Sequence, residues 1–321
     1  MQNLHYSPMH LQHLRSFTTI VDTGTFASAS ARLHLSQPAL SRQIDALERD
    51  LGVSLFERIG RRVRLTPEGE HLLANCRRVL TEVSALDEQA RALTGGESGL
   101  LRIGAAPQAI EIFLANFLAT FRVRFPLVDV HLTAAGAAQL RNLLSMGEVQ
   151  IALLAGDDHH FRFQKLYPSC NLAVVPEGHP LCRRGPVEIS EFADETMLLL
   201  SADFASRVWF DAACKLAGIH PLVHLESSAP HTIIAMARAG HGIAIVPSTM
   251  PAGDGMRARP IVHRGEPVGR WVVAAWDGGR FLAPYAAAFI RELSASVCKE
   301  YPGRDLLRRL PSLPPIKSRE E

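Results

Sequence analysis

Between Ser36 and Gly52, apolar residues recur as Leu40, Ile44, Leu47 and Leu51, at spacings of four, three and four, which marks one face of a helix. Ser36 stands where an N-cap is needed, and Pro38 falls in the first turn, where its missing amide hydrogen costs nothing. Gly52 is placed to close the segment. Pro38, Arg42, Asp45 and Arg49 then lie opposite the apolar face, with Ser41 on its shoulder. Just upstream, FASASARLHL predicts a short Ala-rich helix whose small side chains let a neighbour approach closely. The pair predicts a helix-turn-helix, with the Ser36 helix as the one inserted into a major groove, although on its own it equally fits an amphipathic helix in a small bundle.

The period then changes. LFERIGRRVRLTPEG reads as two short strands about a turn at Gly60, with Arg58, Arg61, Arg62 and Arg64 on or beside that hairpin. A wing of this kind lays guanidinium groups along phosphates. Thr66 and Pro67 open the next helix, along which Leu72, Cys76, Val79, Val83, Leu86, Ala90 and Leu93 alternate at four and three. That unbroken heptad seam predicts a helix that pairs with a second copy of the chain. A helix packed on its own domain would need a wider stripe, and apart from Leu73 and some alanines the remaining positions are mostly polar. TGGESG, residues 94–99, reads as a flexible break.

Beyond Gly99, short apolar runs alternate with helical segments: LLRIGAA, a helix near residues 109–121, VDVHL, a helix near 138–145, then VQIALLAG. This pitch predicts parallel βαβ units. A second run follows with LAVVP, TMLLLS, RVWFDAACKLAG, LVHLES, HTIIAMARAG and HGIAIVP, so two lobes of similar construction are expected. RWVVAAW and a helix near 283–297 are expected to return the chain to the first lobe. The Pro-punctuated, charged end from Tyr301 reads as a mobile tail.

Composition changes this picture in one place only. A net charge of +2, 47% hydrophobic and 21% charged residues over 321 positions describe a soluble globular protein of two or three folding units. Residues 1–66, however, hold eight Arg, no Lys and five acidic residues, a local excess of +3 where a DNA groove would lie. Five scattered cysteines without a CxxC pair predict free thiols in a reducing compartment, and no His or Cys cluster has metal-ligand spacing. No export signal or membrane span is read, so a cytoplasmic location is expected, and no cofactor is expected.

The stretch from LRSFTTIVDTGTF through ASARLHLSQPALSRQIDALERDLGVSLFER to RRVRLTPEGE resembles the LysR-type transcriptional regulators almost end to end. The resemblance implies an α/β protein overall: an N-terminal winged helix-turn-helix (1–66), a long linker helix that dimerises (67–94) and a C-terminal two-lobed periplasmic-binding-protein-like domain that binds effector (95–298). Residues 299–321 are left as a disordered tail. Carried onto matching positions, Gln37, Pro38, Ser41, Arg42 and Asp45 are implied near bases, after the Ser36 cap. Arg32, Arg58, Arg61, Arg62 and Thr66 are implied near phosphates. Leu72, Cys76, Val79, Val83, Leu86 and Leu93 are implied in dimerisation. The implied partners are double-stranded promoter DNA, a small-molecule effector with an organic acid among the candidates, a second copy as homodimer, further copies as homotetramer, and RNA polymerase; no membrane is involved.

Small ligands of open α/β sheets gather at the carboxyl ends of strands. That rule, and matching segments of the family, point to Ala106, Pro107 and Gln108, to Ala135 and Gly136, to Ser201, Phe204 and Arg207, and to Ser228 and His231. Arg207 reads either as a carboxylate partner or as part of a solvated helix face, and Ser228 either as a ligand or as a helix cap. AAPQ after the first strand departs from the Ser or Thr that many members carry, which speaks against a strongly anionic effector. An enzyme and a transport-type solute-binding protein are the rival classes for the C-terminal half. No GxSxG, Ser/Lys or paired-ligand motif supports the first, and neither accounts for residues 10–94.

Overall fold

The computed structural model describes residues 10–59, 62–93, 98–156, 160–182, 185–301, 303–308, 310–311 and 313. The chain divides into two compact units, the first running through Ala90 and the second holding most of the chain from Arg91 onward.

The first unit begins with helices α1 (Leu11–Thr23), α2 (Phe26–Leu33) and α3 (Gln37–Leu51). Phe17, Ile20, Leu40, Leu47 and Leu55 are fully buried between them. Thr25 caps α2 and Ser36 caps α3, the latter accepting the Ala39 amide hydrogen at 3.3 Å. Gly52 closes α3 in the left-handed region, at φ 71°. The hairpin β1 (Phe56–Ile59) and β2 (Arg62–Leu65) pairs antiparallel, Phe56 opposite Leu65. It is hung from α3 by Glu48, whose Oε1 accepts the amide hydrogens of Leu55 at 2.6 Å and Phe56 at 3.2 Å. α4 (Pro67–Leu93) follows, its first turn capped by Thr66 Oγ1, which accepts from the Gly69 amide at 2.9 Å.

The seam expected on α4 is divided. Leu72, Cys76 and Leu80, on one i, i+4 row, pack with Leu73 against the core of the winged unit, and Cys76 is buried. Val79 and Leu86 are exposed and Val83 is half-buried. Leu72 and Cys76, expected at a dimer seam, thus also pack on the core of their own unit. Three short helices and a hairpin leave their core open on one side, and the start of α4 closes it. The side chain of Leu93 lies outside the described residues.

The second unit alternates strand and helix: β3 (Gly99–Ala105), α5 (Pro107–Ala109), a π-helical turn (Ile110–Leu114), α6 (Ala115–Arg124), β4 (Val128–Ala134), α7 (Ala137–Met146) and β5 (Ile151–Ala155). The 15-residue β6 (Arg162–Pro176) leads into β7 (Val187–Glu188), β8 (Thr196–Leu200), α8 (Ala205–Ala217), β9 (Leu222–Ser227), α9 (Pro230–Arg238) and β10 (Ile243–Pro247). The chain ends with β11 (Met256–His263), β12 (Glu266–Pro267), β13 (Gly269–Trp276), α10 (Pro284–Lys299) and α11 (Arg304–Leu307).

Strands β4, β3 and β5 are parallel neighbours, and β13 joins β5 to the first part of β6 in antiparallel pairing. This is lobe I. In lobe II the later part of β6 pairs antiparallel with β10 and β11, and β10, β8 and β9 are parallel. The lobes are joined where β6 passes Cys170 and where the chain returns opposite it at Gly269. The Asn171 amide donates to Val268 O at 2.8 Å there. Helix α10 lies in lobe I, with Phe289 and Leu293 fully buried beside Leu101 and Ile103.

The tail reading is corrected for the described residues after Tyr301. Leu306, Leu307 and Leu310 pack on the lobe II core and Leu313 is buried. Four leucines among the prolines and charges supply enough apolar area to dock a short helix that cannot stand alone.

Candidate nucleic-acid interface and effector cleft

On α3, Leu40, Ile44 and Leu47 are buried, which fixes the rotation of the helix and turns its other face outward. Ser36, Gln37, Pro38, Arg42, Asp45 and Arg49 are exposed, and Ser41 is half-buried at the edge of that face. Arg32 is exposed in the last turn of α2. Gln43, on the flank, accepts a hydrogen bond from buried Ser16 Oγ of α1 and so helps lock the helix in place. The Thr66 hydroxyl donates to Ser54 O at 2.6 Å while capping α4, which ties it to the wing's framework. Arg64 pairs with Glu57 across the hairpin at 3.6 Å. Arg61 and the Gly60 turn, with the side chains of Arg58 and Arg62, lie outside the described residues.

In the second unit, a cleft between the lobes encloses about 640 Å³, its mouth included. Four of the sequence-derived residues line it: Ala106, Gln108, Gly136 and Phe204. Gln108 Oε1 is buried there with no hydrogen-bond partner among the described residues. Ser169, Ser206 and Thr249, all buried, add hydroxyls, while Tyr167 and Trp209 add aromatic walls. Burial drives the Tyr167 phenol well above its ordinary pKa, so it stays protonated.

The other six stand elsewhere. Arg207 is committed: its Nη1 donates to Leu200 O at 3.1 Å and to Glu226 at 2.6 Å, and its Nε pairs with Asp211 at 2.8 Å. It clamps α8 to β8 and β9 rather than facing the cleft. Ala135 is buried behind the cleft with Leu140 and Leu144, and Pro107 serves as the first residue of α5. Ser201 forms a turn, its carbonyl accepting from the Phe204 amide at 3.0 Å. Ser228 is exposed, and it is Ser227 Oγ that accepts the Ala229 amide hydrogen at 3.1 Å before α9. His231 meets Glu111 at 3.4 Å on the exposed rim.

Thr249 was within reach of the strand-end rule, since β10 ends at Pro247. Tyr167 and Ser169 were not. They sit in mid-strand at the lobe crossing, where the only sequence signal is the polar step Ser169–Cys170–Asn171 before an apolar run.

Residues 11–70 match the bacterial regulatory helix-turn-helix protein family of lysR type, and residues 94–297 match the LysR substrate binding domain. The HTH-type transcriptional regulator AlsR of Bacillus subtilis is 30% identical over 245 residues, covering 75% of this chain and 81% of that one. A probable hydrogen peroxide-inducible genes activator of Streptomyces viridosporus is 32% identical over 243 residues, covering 74% and 78%. In fold, the chain matches full-length OxyR of Pseudomonas aeruginosa with a TM-score of 0.70 at 24% identity, covering 95% of this chain and 99% of that one. A winged helix-turn-helix followed by a two-lobed α/β domain, matched over both parts, makes this chain a member of the LysR family of DNA-binding transcriptional regulators.

Proposed function

We propose that the regulator binds a pseudo-palindromic promoter as a dimer, that dimers pair into tetramers, and that a small molecule seated between the lobes alters transcription. The observation that carries this reading is the outward face of α3, where Gln37, Pro38, Arg42 and Asp45 stand free of the core that Leu40, Ile44 and Leu47 build. Arg42 suits a bidentate contact to a guanine edge. Two such helices on a two-fold axis read two half-sites. The exposed Val79 and Leu86 on α4 support pairing through the outer part of that helix. Ligand acts through its different affinity for two lobe arrangements, which changes the spacing and bend of bound DNA and its contact with RNA polymerase. In this reading the protein is a cytoplasmic regulator rather than an enzyme, supported by the two regulator-family matches; separately, no helix among the described residues is long and apolar enough to cross a membrane.

The effector we favour is small and carries no strong charge. No Lys, Arg, His, Asp or Glu lines the cleft among the described residues, and Arg207 is engaged elsewhere. An apolar body fits Tyr167, Phe204 and Trp209, and a donor on the ligand fits the orphaned Gln108 Oε1. An organic acid is the second reading, supported by Ser206, which brings a hydroxyl to the cleft in the first turn of α8.

A nuclease footprint on the DNA upstream of the gene, at stated salt, tests the DNA reading: symmetric protection is expected. A folded, dimeric protein that protects no DNA there or in a genome-wide binding selection would overturn it. Thermal-shift screening with matched aromatic alcohols, amides and carboxylates tests the effector class. Stabilisation by the neutral compounds, lost in Gln108→Leu, is expected; stabilisation by carboxylates alone would favour the acid.

A further inference from the structure

The chain after α10 lies beyond both family matches, the later of which ends at residue 297, yet its described residues are anchored on both lobes. α10 is part of the lobe I core. Just beyond it, Tyr301 stacks on Tyr167 with ring centroids 5.6 Å and planes 20° apart. Tyr167 is a wall of the cleft and also takes the edge of Phe113, from the π-helical turn, at 5.5 Å.

Gly303 then passes so close to lobe II that a Cβ would lie 2.1 Å from Ser248 O, and its φ of 85° suits glycine. Ser248 holds the crossing between the lobes: its amide donates to Cys170 O at 2.7 Å, and its Oγ accepts from the Cys170 amide at 3.3 Å. α11 follows, with Leu306, Leu307 and Leu310 against the lobe II core of Leu172, Leu198, Phe204 and Met250. One short segment thus touches a wall of the cleft, the crossing and the far lobe.

We infer that Tyr301, Gly303 and the segment carrying Leu306, Leu307 and Leu310 form a strap, a third passage between the lobes that sets their resting angle. The other two passages, at Cys170 and Gly269, are adjacent paired strands and form one joint. A joint of two adjacent strand passages is a narrow hinge, where a few residues can absorb a change of lobe angle. A segment anchored in lobe I at Tyr301 and in lobe II at Leu306 and Leu307 opposes that rotation. Any change of lobe angle must shear the Tyr301–Tyr167 stack or lift α11, so the strap sets the threshold for the conformational change. The inference depends neither on the identity of the effector nor on the DNA site.

Hydrogen exchange measured by mass spectrometry on the full-length protein, without added ligand, tests it against Tyr301→Ala, Tyr301→Phe and a chain ending at Glu300. The reporters are the amides of Asn171 and Ser248 at the crossing and of Ala137, which donates across the cleft to Asp203 O at 3.2 Å. Tyr301→Ala and the shortened chain should raise exchange at these amides by about ten-fold, with the interiors of β3 and β8 unchanged, and Tyr301→Phe should restore the parent rates. Unchanged reporters in both, or equal acceleration through the lobe interiors, would make the strap an ordinary part of the core and overturn the inference.

Discussion

The amide of Ala137, at the start of α7 in lobe I, donates to the backbone carbonyl of Asp203, in the loop before α8 of lobe II, at 3.2 Å. Beside it, a Cβ at Gly136 would stand 2.5 Å from Asp203 Oδ2 and 3.2 Å from Asp203 Cβ. The lobes meet here because position 136 has no side chain. Alanine pushes against a carboxylate that can swing into solvent, whereas valine meets the Asp203 stem. Gly136→Val is expected to raise exchange of the Ala137 amide by about ten-fold while the thermal midpoint moves little, and Gly136→Ala to do less. Equal exchange in all three proteins would show that the bridge does not hold the cleft.

Glu48 ties the recognition helix to the wing with one oxygen accepting two amide hydrogens. Glu48→Ala should destabilise the N-terminal unit by about 1 to 3 kcal/mol, because two half-buried amides lose their acceptor. Urea unfolding followed through that unit measures the loss. A wild-type midpoint would mean that water replaces the carboxylate at no cost.

Two arginines test the proposed division between base reading and phosphate contact. Arg42 is on the outward face of α3, and Arg32 closes α2 beside it. Arg42→Ala should cost about 1 to 3 kcal/mol and relax preference at one position of each half-site, as read by a binding selection over randomised sites. Arg32→Ala should weaken all sequences alike and lower the salt slope by about 1. The opposite pattern would exchange their roles.

Much of this architecture was legible because short-range rules decide it. The apolar row of Leu40, Ile44 and Leu47, the caps at Ser36 and Thr66 and the left-handed Gly52 are set by residues within two turns. The parallel strands announced themselves as apolar runs. What escaped depends on partners far away in the chain. β6 carries Lys165, Tyr167 and Ser169 through a segment without clean alternation, because it leaves one lobe and enters another, and β11 follows no apolar run at all. Arg207 sits in the first turn of the helix after β8, as a ligand-binding residue would, but Asp211 one turn on and Glu226 on β9 claim it, and the pairing with β9 cannot be read from position alone. Cys76 fitted a heptad equally well whether its neighbour was a second chain or its own domain.

The thiols give a last test, of whether oxidants and alkylating agents reach them. Burial pushes Cys170 up to about 12, and burial with the Asp211 carboxylate pushes Cys214 up to about 12. Thiolate is the reactive form, so at neutral pH these two should resist peroxide and alkylation, and exposed Cys298 should be labelled first. A DNA footprint unchanged by peroxide is expected; a footprint lost with peroxide and recovered with a thiol reductant would contradict it. The same shifts predict a stability profile. In the unfolded chain a thiol loses its proton near its ordinary pKa, whereas in the fold it keeps the proton until about pH 12. The folded state therefore binds more protons across that interval, and its advantage, whole below pH 8, drains as pH rises, by about 1 kcal/mol per pH unit for each thiol. Buried Tyr167 acts in the same direction at higher pH, so the comparison must be with Cys170→Ala and Cys214→Ala. Urea midpoints at pH 8 and 10 should fall less steeply in these variants than in the parent, and parallel falls would place the alkaline loss elsewhere.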